Sequence, residues 1–482
     1  MKRLRELTLA LAALATMAAL VYGQSSPATI QNARAAAERG VARAQLYMGE
    51  CYRDGDGVPQ DYKEAARWFR LAATQGDANA QFNLGFLLYA GQGVTQDHAE
   101  AAQWYLKAAA QGLDSAQTNL AYAYRTGDGV PKDLKEAVRW YQAAADKGNA
   151  VAEIALGDSY HNGEGVMHDF AEAVRWYRKA ADQGNALGQF HVGDAYRTGE
   201  GVKADNAEAA RWFKLAADQG HVTSEAFLGL MYLDGIGVPQ DLKEAVRLFK
   251  LAAAQGHAVA MFNLADCYRL GQGVERNPQE ALRLYRFLAE HDDYSAQNNL
   301  GVAYRDGDGV AQDPAEAVKW FRVSAEKGYA AAQNNLGAAY RDGFGVAQDY
   351  RQAMDWFRKA SDQLFGVASF NLGNMYEAGQ GVAKSLTEAA KWYGTGADQG
   401  DSTAQLKIGK MYAAGTGVKK DSAQAWEWLD LASAAEKEAE AGALRDSIQR
   451  GMTAAQLAKA RELEAKWKQD QQDMKPVGLF GQ

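Results

Sequence analysis

Residues 77–112, DANAQFNLGFLLYAGQGVTQDHAEAAQWYLKAAAQG, carry apolar or small side chains at Ala80, Leu84, Leu87 and Leu88. Spacings of three and four put these on one helical face, so the first half predicts a helix that stops at Gly91. The second half opens at Asp97 with Glu100 three residues on, buries Ala101 and Trp104, and closes at Gly112. This unit recurs every 36 residues without insertion: Gly-x-Gly-Val begins at 55, 91, 127, 163, 199, 235, 271, 307, 343, 379 and 415. Eleven strict copies of one helix-loop-helix unit predict an all-α solenoid. A glycine loop that cradles phosphate is expected once, ahead of a single helix. Present in every unit, the frame reads as punctuation: the first glycine ends a helix in a left-handed conformation and the second permits the turn.

The phase of the second helix is marked throughout. Pairs such as Asp61/Glu64, Asp133/Glu136, Asn277/Glu280, Ser385/Glu388 and Asp421/Gln424 resemble capping boxes, and Pro278 and Pro314 take the first helical position. Four residues after each cap stands an alanine, from Ala65 to Ala425, as expected where two helices approach closely. Tryptophan follows three residues later in nine units, with Leu248 and Leu284 in the other two. Aromatics at fixed helical spacing are read as core rather than as a ligand cage. The pattern departs near 277–292, where the closing glycine becomes Asp292, and near 361–366, where SDQLFG loses it.

The ends follow the same grammar. Residues 24–40 predict a lone capping helix with Ser25 as its cap. Residues 437–469 predict C-terminal capping helices, the last opened by a box at Thr453 and Gln456, and 470–482 read as a loose tail. Residues 1–23 combine Lys2, Arg3 and Arg5 with an apolar run from Leu7 to Tyr22, then small groups ending at Gly23. That reads as a secretory signal cut after Gly23, with an uncleaved anchor as the alternative. The expected setting is periplasmic or secreted, with no membrane span in the mature chain. Cys51 and Cys267 lie six periods apart in equivalent contexts, which predicts two buried thiols rather than a disulfide.

The composite pattern is Ala-x-x-x-Leu-Gly-x-x-Tyr, Gly-x-Gly-Val, Asp-x-x-x-Ala-x-x-Trp-(Phe/Tyr) and Ala-Ala-x-x-Gly, over residues 41–436. It resembles the Sel1-like repeat, a relative of the tetratricopeptide repeat. The resemblance implies a right-handed α-solenoid whose first helices line a concave face. It also implies adaptor or regulatory roles, in bacteria often in the periplasm or secreted, serving envelope, exopolysaccharide or host-interaction processes. Cysteine-rich members hold a disulfide within each repeat, and this chain lacks the paired cysteines for that.

Composition narrows the partners. A net charge of −8 without a Lys/Arg-dense segment argues against nucleic acid. His161 and His168 flank one loop with no further Cys or His at metal-ligand spacing, so no metal or cofactor is expected. His221 and His257 read as surface turn residues. No nucleophile elbow or phosphate-binding lysine motif stands in the chain, and its carboxylates mostly occupy capping columns, so the reading is a non-catalytic protein.

Recognition is expected where repeats differ or where a polar residue recurs without a packing reason. Asn83, Asn119, Asn263, Asn299, Asn335 and Asn371 share one column of the first helix, a poor place for Asn. Either they form an amide ladder between repeats or they project to hold a peptide backbone. Three residues on, the column varies, and with its neighbours it yields two apolar patches: Phe86, Tyr89 and Tyr122, and Phe227, Leu230 and Leu233. Asp158, His191 and Asp194 form a polar stretch between them. Apolar groups on a polar face are candidate hot spots; covered by neighbouring helices, they would be core. The arginines at 53, 125, 197, 269, 305 and 341 suit the C-terminal end of that helix, with ligand contact as the alternative. The function expected is a scaffold for a protein or peptide partner in the envelope. The alternatives are a cell-wall or glycan-binding protein and an envelope hydrolase.

Overall fold

The computed structural model describes residues 27–435 and 439–474, which form helices and turns with no strand. The signal segment, Ser25 and residues 475–482 of the tail lie outside the described residues. After the lone helix Pro27–Glu38 come eleven pairs, from Ala42–Asp54 with Tyr62–Thr74 to Ser402–Ala414 with Ser422–Ser433. They are numbered here as repeats 1 to 11. Ala439–Gln449 and Ala454–Met474 follow. This last helix runs past Gln469, so the tail predicted from 470 is helical through Met474: Gln471 Nε2 donates to the Asp398 carbonyl at 2.8 Å, and Trp467 packs against the core cluster of repeats 10 and 11. The chain divides into two compact units after Gln240, between the two helices of repeat 6.

The caps differ from the predicted boxes in one respect. Asp133 Oδ1 accepts from the N–H groups of Lys135 and Glu136, both at 3.0 Å. Glu136 does not reach back. The Asp133 N–H instead donates to the Tyr124 carbonyl at 2.9 Å, near the end of the preceding helix, and Glu136 pairs with Arg139 at 2.8 Å. Asp61 with Tyr52 and Asp313 with Tyr304 repeat this bond. The hairpin is closed by the cap's own amide, so the reciprocal half of the box has no donor left. At Thr453 and Gln456, where no such hairpin constrains the cap, both halves form, at 2.8 and 3.2 Å.

Seven of the eleven first helices are capped too, and two of the caps are the histidines read as surface turn residues. His221 Nδ1 accepts from the Ser224 N–H and His257 Nδ1 from the Ala260 N–H, each at 3.3 Å. Both are half-buried, and burial lowers the pKa of both imidazoles, which favours the neutral form that can accept.

Within each unit the repeats lock through small residues. The alanine column is buried throughout, from Ala65 at 0% exposure to Ala425 at 0%. Gly93, at φ +70°, lies so close to the preceding repeat that a Cβ there would overlap the Tyr62 carbonyl, and Gly273 meets Leu242 in the same way. The second glycine of the frame is therefore a contact between repeats as well as a turn. A glutamine column adds a polar stitch: Gln81 Nε2 donates to the Ala73 carbonyl at 3.1 Å, and its Oε1 accepts from Gln111 at 2.8 Å. Gln333 does the same with Ala325 and Gln363. Tryptophans of the second helix are buried or half-buried, several under a lysine, as with Lys107 3.9 Å from the Trp104 ring. Cys51 and Cys267 are free, buried thiols, each pushed up to about 11 by burial.

Candidate functional site

Side chains of the first helices that packing leaves over fall three or four residues apart. In Ala78–Ala90 the stripe runs through Asn79, Asn83 and Phe86; in Asp114–Thr126 through Asn119 and Tyr122. Phe86 is 45% exposed and Tyr122 42%. Between these helices, within the first unit, lies a cleft of 290 Å³. Tyr105, on the intervening second helix, contributes a buried ring, and Asn119 lines the cleft beside it. Burial pushes that phenol up to about 12. Tyr89 stacks on His98 with centroids 4.7 Å apart and an interplanar angle of 22°. Burial and the neighbouring Asp128 raise the Tyr89 phenol above its ordinary range, and His98 Nδ1 pairs with Asp128 Oδ1. The first predicted patch is thus the open mouth of a cleft with a carboxylate in its lining.

The polar stretch is drawn together by Tyr177. Its hydroxyl donates to Asp158 Oδ1 at 2.8 Å and its ring stacks on His191 at 4.4 Å. Burial, reinforced by Asp158, holds the Tyr177 phenol well above its ordinary range; burial draws His191 down against the upward pull of Asp158 and Asp194. Asp194 pairs with Arg197 at 2.6 Å, and His161 with Glu200 at 3.3 Å.

The second patch is mostly packed. Phe227, Leu230 and Leu233 are each half-buried. Phe227 lies parallel to Phe190 at 6.2 Å and tilted on Phe213 at 5.5 Å, with the Arg197 guanidinium 5.1 Å from its ring.

Part of the asparagine column turns toward neighbouring repeats. Asn83 Oδ1 accepts from Arg53 at 3.0 Å, and Asn371 Oδ1 from Arg341 at 2.9 Å. Asn335 donates to Asn298 at 2.8 Å and Asn371 to Asn334 at 2.9 Å, while Asn263 donates to the Val259 carbonyl of its own helix. Asn335 and Asn371 thus join amides of the preceding repeat, whereas Asn83 pairs with an arginine. Asn299 lines a smaller cleft of 140 Å³ in the second unit, with Arg269, Tyr285 and Asp308. These four stand five repeats after Asn119, Tyr89, Tyr105 and Asp128, so both clefts are one feature of the unit. Of the arginine column, Arg269 bonds to Asp266 at 2.8 Å and to the Tyr285 hydroxyl at 3.3 Å.

Three cleft residues, His98, Tyr105 and Asp128, escaped the sequence reading. The available signal was the middle position of Gly-x-Gly-Val, which varies among Asp, Gln, Glu, Ile, Phe and Thr while its neighbours hold. Among the described residues, no group of three or more His, Cys, Asp or Glu is placed to hold a metal ion, and no helix is long and apolar enough to cross a membrane.

Eleven segments match the Sel1 repeat, from 42–77 through 222–257 to 402–436. None of the curated proteins matches the chain. Among solved structures, a protective antigen present in uropathogenic Escherichia coli strains, displaying an SLR fold, is 37% identical. The match covers 94% of this chain and 99% of that one, with a TM-score of 0.78. A Sel1 repeat protein from Oxalobacter formigenes is 34% identical over 50% of this chain and 95% of its own, with a TM-score of 0.45. Eleven matched repeats, and a relative sharing the fold over nearly the whole of both chains, place the chain in the Sel1 repeat family of α-solenoids, whose repeats mediate protein–protein interaction.

Proposed function

We propose that the protein is an exported, non-catalytic scaffold that holds an extended segment of a protein partner along its first-helix face, in the bacterial envelope or at the host interface. The carrying observation is the open cleft of the first unit, where Phe86 and Tyr122 stay exposed beside a buried aromatic ring and a carboxylate. Exposed aromatics beside hydrogen-bonding groups are what interface hot spots are made of. The basic and apolar sequence of residues 1–23 supports export, and the E. coli relative, described as a protective antigen, supports a setting that a host encounters.

A pull-down from envelope extract, comparing wild type with the double variant Phe86→Ala/Tyr122→Ala, tests this reading. The double variant is expected to lose one specific protein while keeping its melting temperature, because both side chains are exposed. Unchanged recovery, together with retention of the wild type on purified peptidoglycan or polysaccharide, would replace the protein partner with a glycan.

A further inference from the structure

We infer that the cleft between Phe86 and Tyr122 receives an organic cation, the side chain of a lysine or arginine on the partner segment. The inference rests on the scaffold reading above and adds the chemistry of one contact. It starts from a comparison among the repeats themselves. At the position of Tyr89, six repeats carry arginine: Arg53, Arg125, Arg197, Arg269, Arg305 and Arg341.

In the grooves of repeats 7 and 9 a cation of the protein lies against the buried aromatic of the second helix. Arg269 bonds to the Tyr285 hydroxyl, and Arg341 lies 5.9 Å from the Phe357 ring. Repeat 10 has Glu377 in this column, and there Lys407 enters instead, 2.9 Å from Glu377 and 5.6 Å from the Tyr393 ring. In repeat 10 a positive group thus occupies this place although the column's arginine is replaced.

The lining of the 290 Å³ cleft includes no lysine or arginine, and the cation of the protein at its edge is Arg125, 5.5 Å from the Tyr122 ring. It keeps the matching aromatic, Tyr105, and adds Phe86, Tyr89 and Tyr122. It also keeps a carboxylate, Asp128, whose side chain remains 28% exposed beside its His98 partner. Ring faces attract a cation through their quadrupole, and an adjacent carboxylate adds direct attraction. The volume lies at the low end for small-molecule sites and suits one side chain. A cationic segment also complements a chain of net charge −8.

The experiment titrates the full-length protein with three capped peptides, Ala-Ala-X-Ala-Ala, where X is lysine, arginine or uncharged norleucine, and with tetramethylammonium. The lysine and arginine peptides are expected to bind about tenfold more tightly than the norleucine peptide. Asp128→Asn should remove most of that preference. Tyr89→Arg, which supplies the cation of the sister grooves, should abolish binding of the basic peptides. Calorimetry reads the affinities, and thermal melting checks that each variant is folded; should Asp128→Asn unfold, Tyr89→Arg carries the test alone. Equal binding of the norleucine peptide, or unchanged binding to Tyr89→Arg, would overturn the inference. So would tetramethylammonium binding as tightly as the lysine peptide, which would make this a site for a small amine. Partner loss in Phe86→Ala/Tyr122→Ala with no charge preference would leave the scaffold standing and the cation refuted. A charge preference with no partner loss would do the reverse.

Discussion

At φ 69° and 62°, Asp292 and Leu364 hold a left-handed backbone where most repeats place the glycine that closes the second helix. The neighbouring helices dictate the turn, and the residue conforms at a cost of about 1 kcal/mol for a side chain with a Cβ. Leu364 is 65% exposed, so little burial offsets that cost. Leu364→Gly is therefore expected to stabilise the protein by about 1 kcal/mol, read as a shift in the urea midpoint. The two departures were legible in the sequence; their harmlessness to the backbone was not, because it depends on packing by residues far along the chain. The buried thiols Cys51 and Cys267 were legible from their repeat context. Asp128 was not, since the glycines on either side drew it into a loop signal.

The helices themselves were read directly from apolar spacing, glycine stops and cap residues, and the observed elements follow that order. What one-dimensional pattern misassigned was the second partner of caps such as Asp61, Asp133 and Asp313. A local motif is inferred from residues three apart, but the Asp133 amide is claimed by Tyr124 across the hairpin. The consequence is measurable. Asp133→Ala should cost about 1 kcal/mol by loss of its two accepted bonds, without altering the partner list. Glu136→Ala should stay within about 0.5 kcal/mol, since it loses only an exposed pair with Arg139. Equal destabilisation in chemical denaturation would restore the full box. The last helix was cut short at Gln469 for a related reason: its charged sequence shows no strong apolar stripe, and it is held by Trp467 and Gln471 against an earlier repeat.

Over the whole molecule, a period of 36 residues made the family and the solenoid class legible without any coordinates, because regular repetition admits few packings. The candidate site was half legible. Variable columns pointed to Phe86 and Tyr122, and equally to Phe227, Leu230 and Leu233; sequence could not tell which apolar groups neighbouring rings and Arg197 would cover. The central claim is that a protein partner lies along the first-helix face and enters the cleft of the first unit. Site-specific photocrosslinking in living cells tests it most directly, with one photoreactive residue at position 86, 122 or 106 in turn. Leu106 is a suitable control, being 43% exposed but carried on a second helix. The account predicts one shared crosslinked protein from 86 and 122, and none from 106. Crosslinking from 106, with none from 86 and 122, would contradict it.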